Sequence, residues 1–153
     1  MNKMRKIILY FTIVFTFISC ATAHINNKRA DSIKKIVIKY IDFEIETPFK
    51  TDCEDFISAF KNMIQTISIS DKEKINELVS VINKLPHATN KMPKPDTRIK
   101  IELIYENGEI QDYCIGQFSV THNGELYIPT DDLGNLLVKM GLITDIQDLC
   151  GIH

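Results

Sequence analysis

The chain has 153 residues, with 18 basic and 20 acidic side chains, a formal net charge of −2 and 44% hydrophobic residues. That length supports one domain around one core. The mildly acidic balance argues against nucleic acid, or an anionic membrane surface, as a main partner.

The amino terminus differs in kind from the rest. Lys3, Arg5 and Lys6 precede Ile7–Ile18, an uncharged apolar run. A basic start and an apolar stretch of this length are the pattern of an export signal. Twelve helical residues reach about 18 Å, short of the roughly 30 Å hydrocarbon core, so a permanent transmembrane span is not expected. The run ends in Phe17-Ile18-Ser19-Cys20, which resembles the lipobox of bacterial lipoproteins: a large apolar residue, a variable residue and a small residue before a cysteine. Phe17 departs from the commonest leucine and is similar to lipoprotein signals of Bacteroidetes-type bacteria. The resemblance implies a signal peptide over 1–19, lipidation of Cys20 and a membrane anchor through that lipid. Ala21 after it implies an outer-membrane position, and the lack of an acidic run beyond it a periplasm-facing one. Buried acyl chains contribute about 0.8 kcal/mol per CH₂, and two or three chains hold durably. Cleavage after Ala21-Thr22-Ala23 is the rival reading, and it also exports the chain. Without Lys3, Arg5 and Lys6 the balance is 15 basic against 20 acidic residues, or −5.

Residues 20–31 read as a polar tether and 32–153 as a single domain. A first strand is expected over about Ile33–Glu46. Its apolar phase slips near Tyr40–Ile41, where a bulge or bend would keep both halves on the core. Thr47-Pro48 ends it. Thr51-Asp52-Cys53-Glu54 has the form of a capping box, opening a short helix whose stripe is Cys53, Phe56, Ile57 and Phe60. Met63–Ile69 reads as a second strand. Ser70-Asp71-Lys72-Glu73 is another capping box, before a helix over about Asp71–Lys84 with Ile75, Leu78, Val79, Ile82 and Leu85 on its apolar face. Pro86 stops it, and Pro86–Asp96 is the longest loop.

From Thr97 the pattern is that of strands. Ile99, Ile101, Leu103 and Tyr105 alternate with Lys100 and Glu102, and Arg98, Lys100 and Glu102 fall on the opposite, solvated face. Asn107-Gly108 predicts a type I′ hairpin returning through Ile110–Ile115. Gly116-Gln117 turns the chain again, and Asn123-Gly124 joins Phe118–Thr121 to Glu125–Ile128. Thr130-Asp131-Asp132 caps a helix with acids at its positive end and Leu133, Leu136, Leu137 and Met140 on its stripe, with Gly141 at C′. A last helical turn is expected in Thr144–Cys150. The fold class is α+β: a mostly antiparallel sheet of about six strands, its C-terminal four forming a meander, with two to three helices packed on one face.

Chemistry-bearing residues are few. His24, His87, His122 and His153 show no metal-ligand spacing, so no metal and no cofactor is expected. No nucleophile motif occurs, and no catalytic residue is assigned. Two of Cys53, Cys114 and Cys150 can pair in an oxidising compartment, with three pairings open, or all three serve as small core hydrophobes. Asp42, Glu44 and Glu46 alternate onto one strand face, able to meet a cation or basic partner, although a solvated, edge-protecting face explains them as well. Tyr105, Tyr113 and Tyr127 share the sheet without a Trp to complete a sugar platform. The expectation is a lipid-anchored envelope binding module without catalysis, with a protein partner, of the inhibitor or immunity type. The alternatives are an assembly accessory of the outer membrane and a small hydrolase whose site forms only on folding.

Overall fold

Six strands in the order β2-β1-β3-β4-β5-β6, every neighbouring pair antiparallel, form the sheet of the computed structural model. The structure describes residues 32–89 and 92–150. The chain divides into units Met1–Ser32 and Ile33–His153, and the second is described below. The signal, Cys20, the tether, His24 and His153 lie outside the described residues. No helix among the described residues is long and apolar enough to cross a membrane.

The strands are β1 Ile33–Tyr40, β2 Gln65–Ile69, β3 Ile99–Tyr105, β4 Ile110–Ile115, β5 Val120–His122 and β6 Glu125–Tyr127. The helices are α1 Phe56–Ala59, α2 Lys72–Ile82, α3 Asp131–Lys139 and α4 Gln147–Cys150. Strands β3–β6 follow one another across the sheet as the expected meander. Four helices stand among the described residues, and the last of them, Gln147–Cys150, is the short turn expected within Thr144–Cys150.

Alternation decides the core. Ile36 stands opposite Ile69 and Leu103, Ile38 opposite Ile67 and Ile101, and Ile99 opposite Ile115. Ile36, Ile38, Ile99, Ile101 and Ile115 are wholly buried. Each such side chain contributes about 1.5–3 kcal/mol of burial. Stripes Ile75, Leu78, Val79 and Ile82 of α2 and Leu133, Leu136 and Leu137 of α3 are buried as the period requires. Asp71, not Ser70, caps α2, its Oδ1 accepting from the Lys74 N–H. Thr130 caps α3 by accepting from the Leu133 N–H. Gly141, at φ +71°, closes α3: the Gly141 N–H donates to the Val138 carbonyl and the Leu142 N–H to that of Leu137, a Schellman arrangement.

Strand β1 stops at Tyr40, so the expected extension to Glu46 does not form. The phase slip is resolved by ending the strand: Ile41 follows the alternation onto the other face and joins a small second core with Phe56 and Phe60, flanked by Ile45 and Ile64. Register in β1 shifts between Ile33 and Lys35 instead. Helix α1 is shorter than expected and starts at Phe56. Thr51 does not cap it, because its backbone is engaged with Asp96 and Thr97. Cys53 lies in the preceding turn, and Ile57 is exposed.

The two hairpin dipeptides fold differently. Asn123 and Gly124 both have positive φ (+50° and +80°), as a type I′ turn needs. At Asn107-Gly108 only the glycine does. The Gly108 N–H bonds the Tyr105 carbonyl and the Tyr105 N–H bonds that of Glu109, giving a three-residue loop with a bulge. Segment 86–88 is more than a crossing. The Ala88 N–H donates to Leu126, and the Ile128 N–H to Pro86, which covers the β6 edge.

Candidate functional site

The face of β3 opposite the isoleucines is not the open charged surface that alternation alone suggests. Arg98 is 9% exposed, and the side chains of Lys100 and Glu102 are 14% and 17% exposed. Lys39 stands directly opposite Lys100, and Glu102 opposite Asp112. Like charges so placed repel. The diagonals resolve this: Lys39 Nζ lies 2.6 Å from Glu102 Oε1, and Lys100 Nζ 2.8 Å from Asp112 Oδ2.

Segment 41–55 is fastened against this face. The Ile41 N–H donates to the Arg98 carbonyl at 3.0 Å. Arg98 then holds the next residues, with Nη1 donating to the Ile45 carbonyl at 2.7 Å and Nη2 to Thr47 Oγ1 at 3.1 Å and Asp96 Oδ2 at 2.8 Å. Its guanidinium also lies 5.9 Å from the centroid of the Phe60 ring, a favourable cation–π placement. Asp96 turns its other oxygen to the Thr51 N–H at 2.7 Å, and the Thr97 N–H donates to the Thr51 carbonyl at 2.8 Å. Two residues on, Cys53 is disulfide-bonded to Cys114. Cys114 pairs with Lys100 and Thr121 in the sheet and is fully buried. So the structure joins Cys53 to Cys114, and both thiols are withdrawn from nucleophilic chemistry. Cys150 closes α4.

The fastened segment and the loop before β3 enclose three open depressions. The first, about 310 Å³, is lined by Phe43, Pro93, Asp96, Arg98 and Phe118 among others. The second, about 530 Å³, continues from it through Phe43, Glu44, Asp96 and Arg98 to Phe49. The third, about 370 Å³, lies between Asp52–Glu54, Lys94-Pro95 and Asp112, Thr121 and His122. Gly116 supports the same region: a Cβ there would sit 2.5 Å from the Asp96 carbonyl oxygen, so only glycine permits the close approach.

Asp42, Glu44 and Glu46 are exposed, but in this loop and not on a strand. Asp42 Oδ1 accepts from the Glu44 N–H at 3.0 Å, a local turn. The His87 ring meets that of Tyr127 at a tilt and lies 3.6 Å from Glu125, while His122 lies flat on Tyr113 at 3.9 Å and bonds the Asp112 carbonyl. Tyr105 and Tyr113 are buried, so the tyrosines form no exposed platform. No group of three metal-ligating side chains gathers among the described residues.

Sequence reasoning missed Phe43, Phe49 and Phe118. Phe49 is 79% exposed and Phe118 50%. The available signal was Phe49 itself: a large aromatic between Pro48 and Lys50, in a turn and outside any apolar period. Arg98 was placed on the correct face, but nothing in the alternation reveals that a loop covers it.

Compared with known proteins, the chain matches no family model, no curated protein and no solved structure.

Proposed function

We propose that this chain is a lipid-anchored envelope module that binds a protein partner, in the manner of an inhibitor or immunity-type lipoprotein, and performs no catalysis. The observation that carries the reading is the surface around segment 41–51. Phe43 and Phe49 lie there on a backbone fixed by Arg98, Asp96 and a disulfide, Phe118 joins them from the turn before β5, and the open depressions they line are shaped more for protein contact than for enclosing a small molecule. The apolar stripes of α2 and α3 cover the Ile36–Ile101 face in this reading, which leaves the opposite face, half covered by segment 41–64, for contact. The disulfide fits an oxidising compartment, and the lipobox-like Phe17–Cys20 supplies the anchor at the outer membrane facing the periplasm.

The test is affinity capture with the full chain, tagged at its C-terminus, on envelope extracts of the producing bacterium and of neighbouring strains. A stoichiometric protein retained against a control domain, and released when the surface is altered by Phe43→Ala with Phe118→Ala, is the expected result. Retention of nothing above the control defeats the reading. Retention of a resident envelope component would favour an assembly accessory instead.

A further inference from the structure

We infer that Phe49 is the anchor of this surface, and that it inserts into an apolar cavity rimmed by basic side chains on the partner protein. The inference rests on the binding reading above and adds the residue, the geometry and the chemistry of the partner.

The geometry comes first. Pro48, Phe49 and Lys50 are all exposed, and they stand between two sets of fasteners. On one side Arg98 holds Ile45 and Thr47; on the other, Asp96 and Thr97 hold Thr51, and the disulfide holds Cys53. The tip therefore projects from a backbone that is already ordered. A contact loop fixed before binding loses little conformational freedom on association. An isolated exposed apolar side chain is ordinary on a protein surface. Here it is the most exposed large hydrophobic side chain among the described residues, and it lies beside Phe43 on the rim of one depression. Aromatic side chains are enriched at the buried centre of interfaces.

Charge then selects the occupant. Between Ile41 and Phe56 stand Asp42, Glu44, Glu46, Asp52, Glu54 and Asp55, against the single cation Lys50. A second copy of this chain would bring an equally acidic loop against the first, and an anionic lipid surface would repel it too. Self-association or membrane insertion through this tip is therefore disfavoured. A protein whose cavity offers apolar walls and a Lys- or Arg-bearing rim fits both the ring and the field, and the field would speed encounter at low salt.

The experiment uses two baits, the full chain and its Phe49→Ala variant, with the envelope extracts described above at about 0.05 M and about 0.5 M salt, concentrations that bracket strong and weak screening. A protein held by the parent chain is purified, and its affinity is measured for the parent, Phe49→Ala, the charge variant Glu44→Lys with Glu46→Lys, and Phe118→Ala. The expected result is a loss of roughly tenfold or more for Phe49→Ala. The charge variant should weaken binding at low salt, and Phe118→Ala should have the smaller effect. Because Phe49 is largely solvent-exposed, its alanine variant keeps the parent melting temperature, which separates lost contact from lost fold. Equal affinity for parent and Phe49→Ala overturns this inference while the binding reading stands. Retention of nothing by the parent overturns both.

Discussion

The Arg98 guanidinium donates to the Ile45 carbonyl oxygen at 2.7 Å, joining residues 53 apart in sequence. That contact, with those to Thr47 and Asp96, makes one buried side chain the fastener of a whole surface segment. A charged group this deeply buried is stable only when its donors are met, and the loop supplies the acceptors.

Removing that fastener should therefore cost stability and loop order together. Arg98→Ala leaves the Asp96 carboxylate and the Ile45 carbonyl without their partner, and should lower unfolding free energy by about 2–4 kcal/mol. Arg98→Lys restores the charge but not the planar fork that reaches three acceptors, so it should recover only part. Urea denaturation measures both. A loss below about 0.5 kcal/mol for Arg98→Ala, the range of ordinary surface substitutions, would show that the loop is held by other means.

The disulfide between Cys53 and Cys114 closes 61 residues of sequence. In the chain-entropy account, a loop of this size restrains the unfolded state by about 4 kcal/mol, at the top of the typical contribution of about 2–4 kcal/mol. Cys53→Ala with Cys114→Ala should lower the melting temperature by several degrees. A reducing agent should lower that of the parent chain and leave the double variant unmoved. Sensitivity of the double variant to reductant would place the effect elsewhere.

Local rules made the framework readable before folding. The α2 and α3 stripes, the Thr130 cap, the Gly141 close and the Asn123-Gly124 turn depend on neighbours within a few residues, and the structure contains them. The fold class and the meander follow from such pieces. What could not be read depends on distant contacts. Three cysteines gave three equivalent pairings, and only the folding of segment 41–55 over β4 selects one. Arg98, Lys100 and Glu102 alternate like a solvated face, yet period-2 patterning does not reveal what lies above a face. The same blindness hid the exposed placement of Phe49, which depends on the fasteners to either side of it.

Gly116 offers a test of how tightly the loop before β3 is seated. A Cβ there would meet the Asp96 carbonyl oxygen at 2.5 Å, the Asp96 nitrogen at 2.9 Å and the Pro95 Cβ at 2.9 Å. Two of the three are backbone atoms, which cannot step aside as a flexible side chain can. Gly116→Ala should cost about 1–3 kcal/mol, the usual range for overpacking, and should loosen the Asp96 contacts to Arg98 and Thr51. A Gly116→Ala chain as stable as the parent, by urea denaturation, would mean that segment 95–96 shifts freely.

Alkaline pH should single out Tyr127. Its hydroxyl donates to Glu125 Oε2 at 3.0 Å. Partial burial, then that hydrogen bond and the carboxylate's charge, raise its pKa above the ordinary 10.0. The phenol therefore keeps its proton in the folded chain at a pH where the unfolded chain has begun to release it. Protons bound in excess by the native state make stability fall as pH rises. The contribution is fully present below about pH 10 and is lost as pH climbs through the folded-state value. The informative quantity is the difference between the parent chain and Tyr127→Phe. The phenylalanine chain lacks both the proton and the bond to Glu125. Its unfolding free energy should decline less steeply between about pH 9 and pH 11. Parallel declines would show that Tyr127 titrates alike in the folded and unfolded chains, and that its hydroxyl is not held by Glu125 in solution.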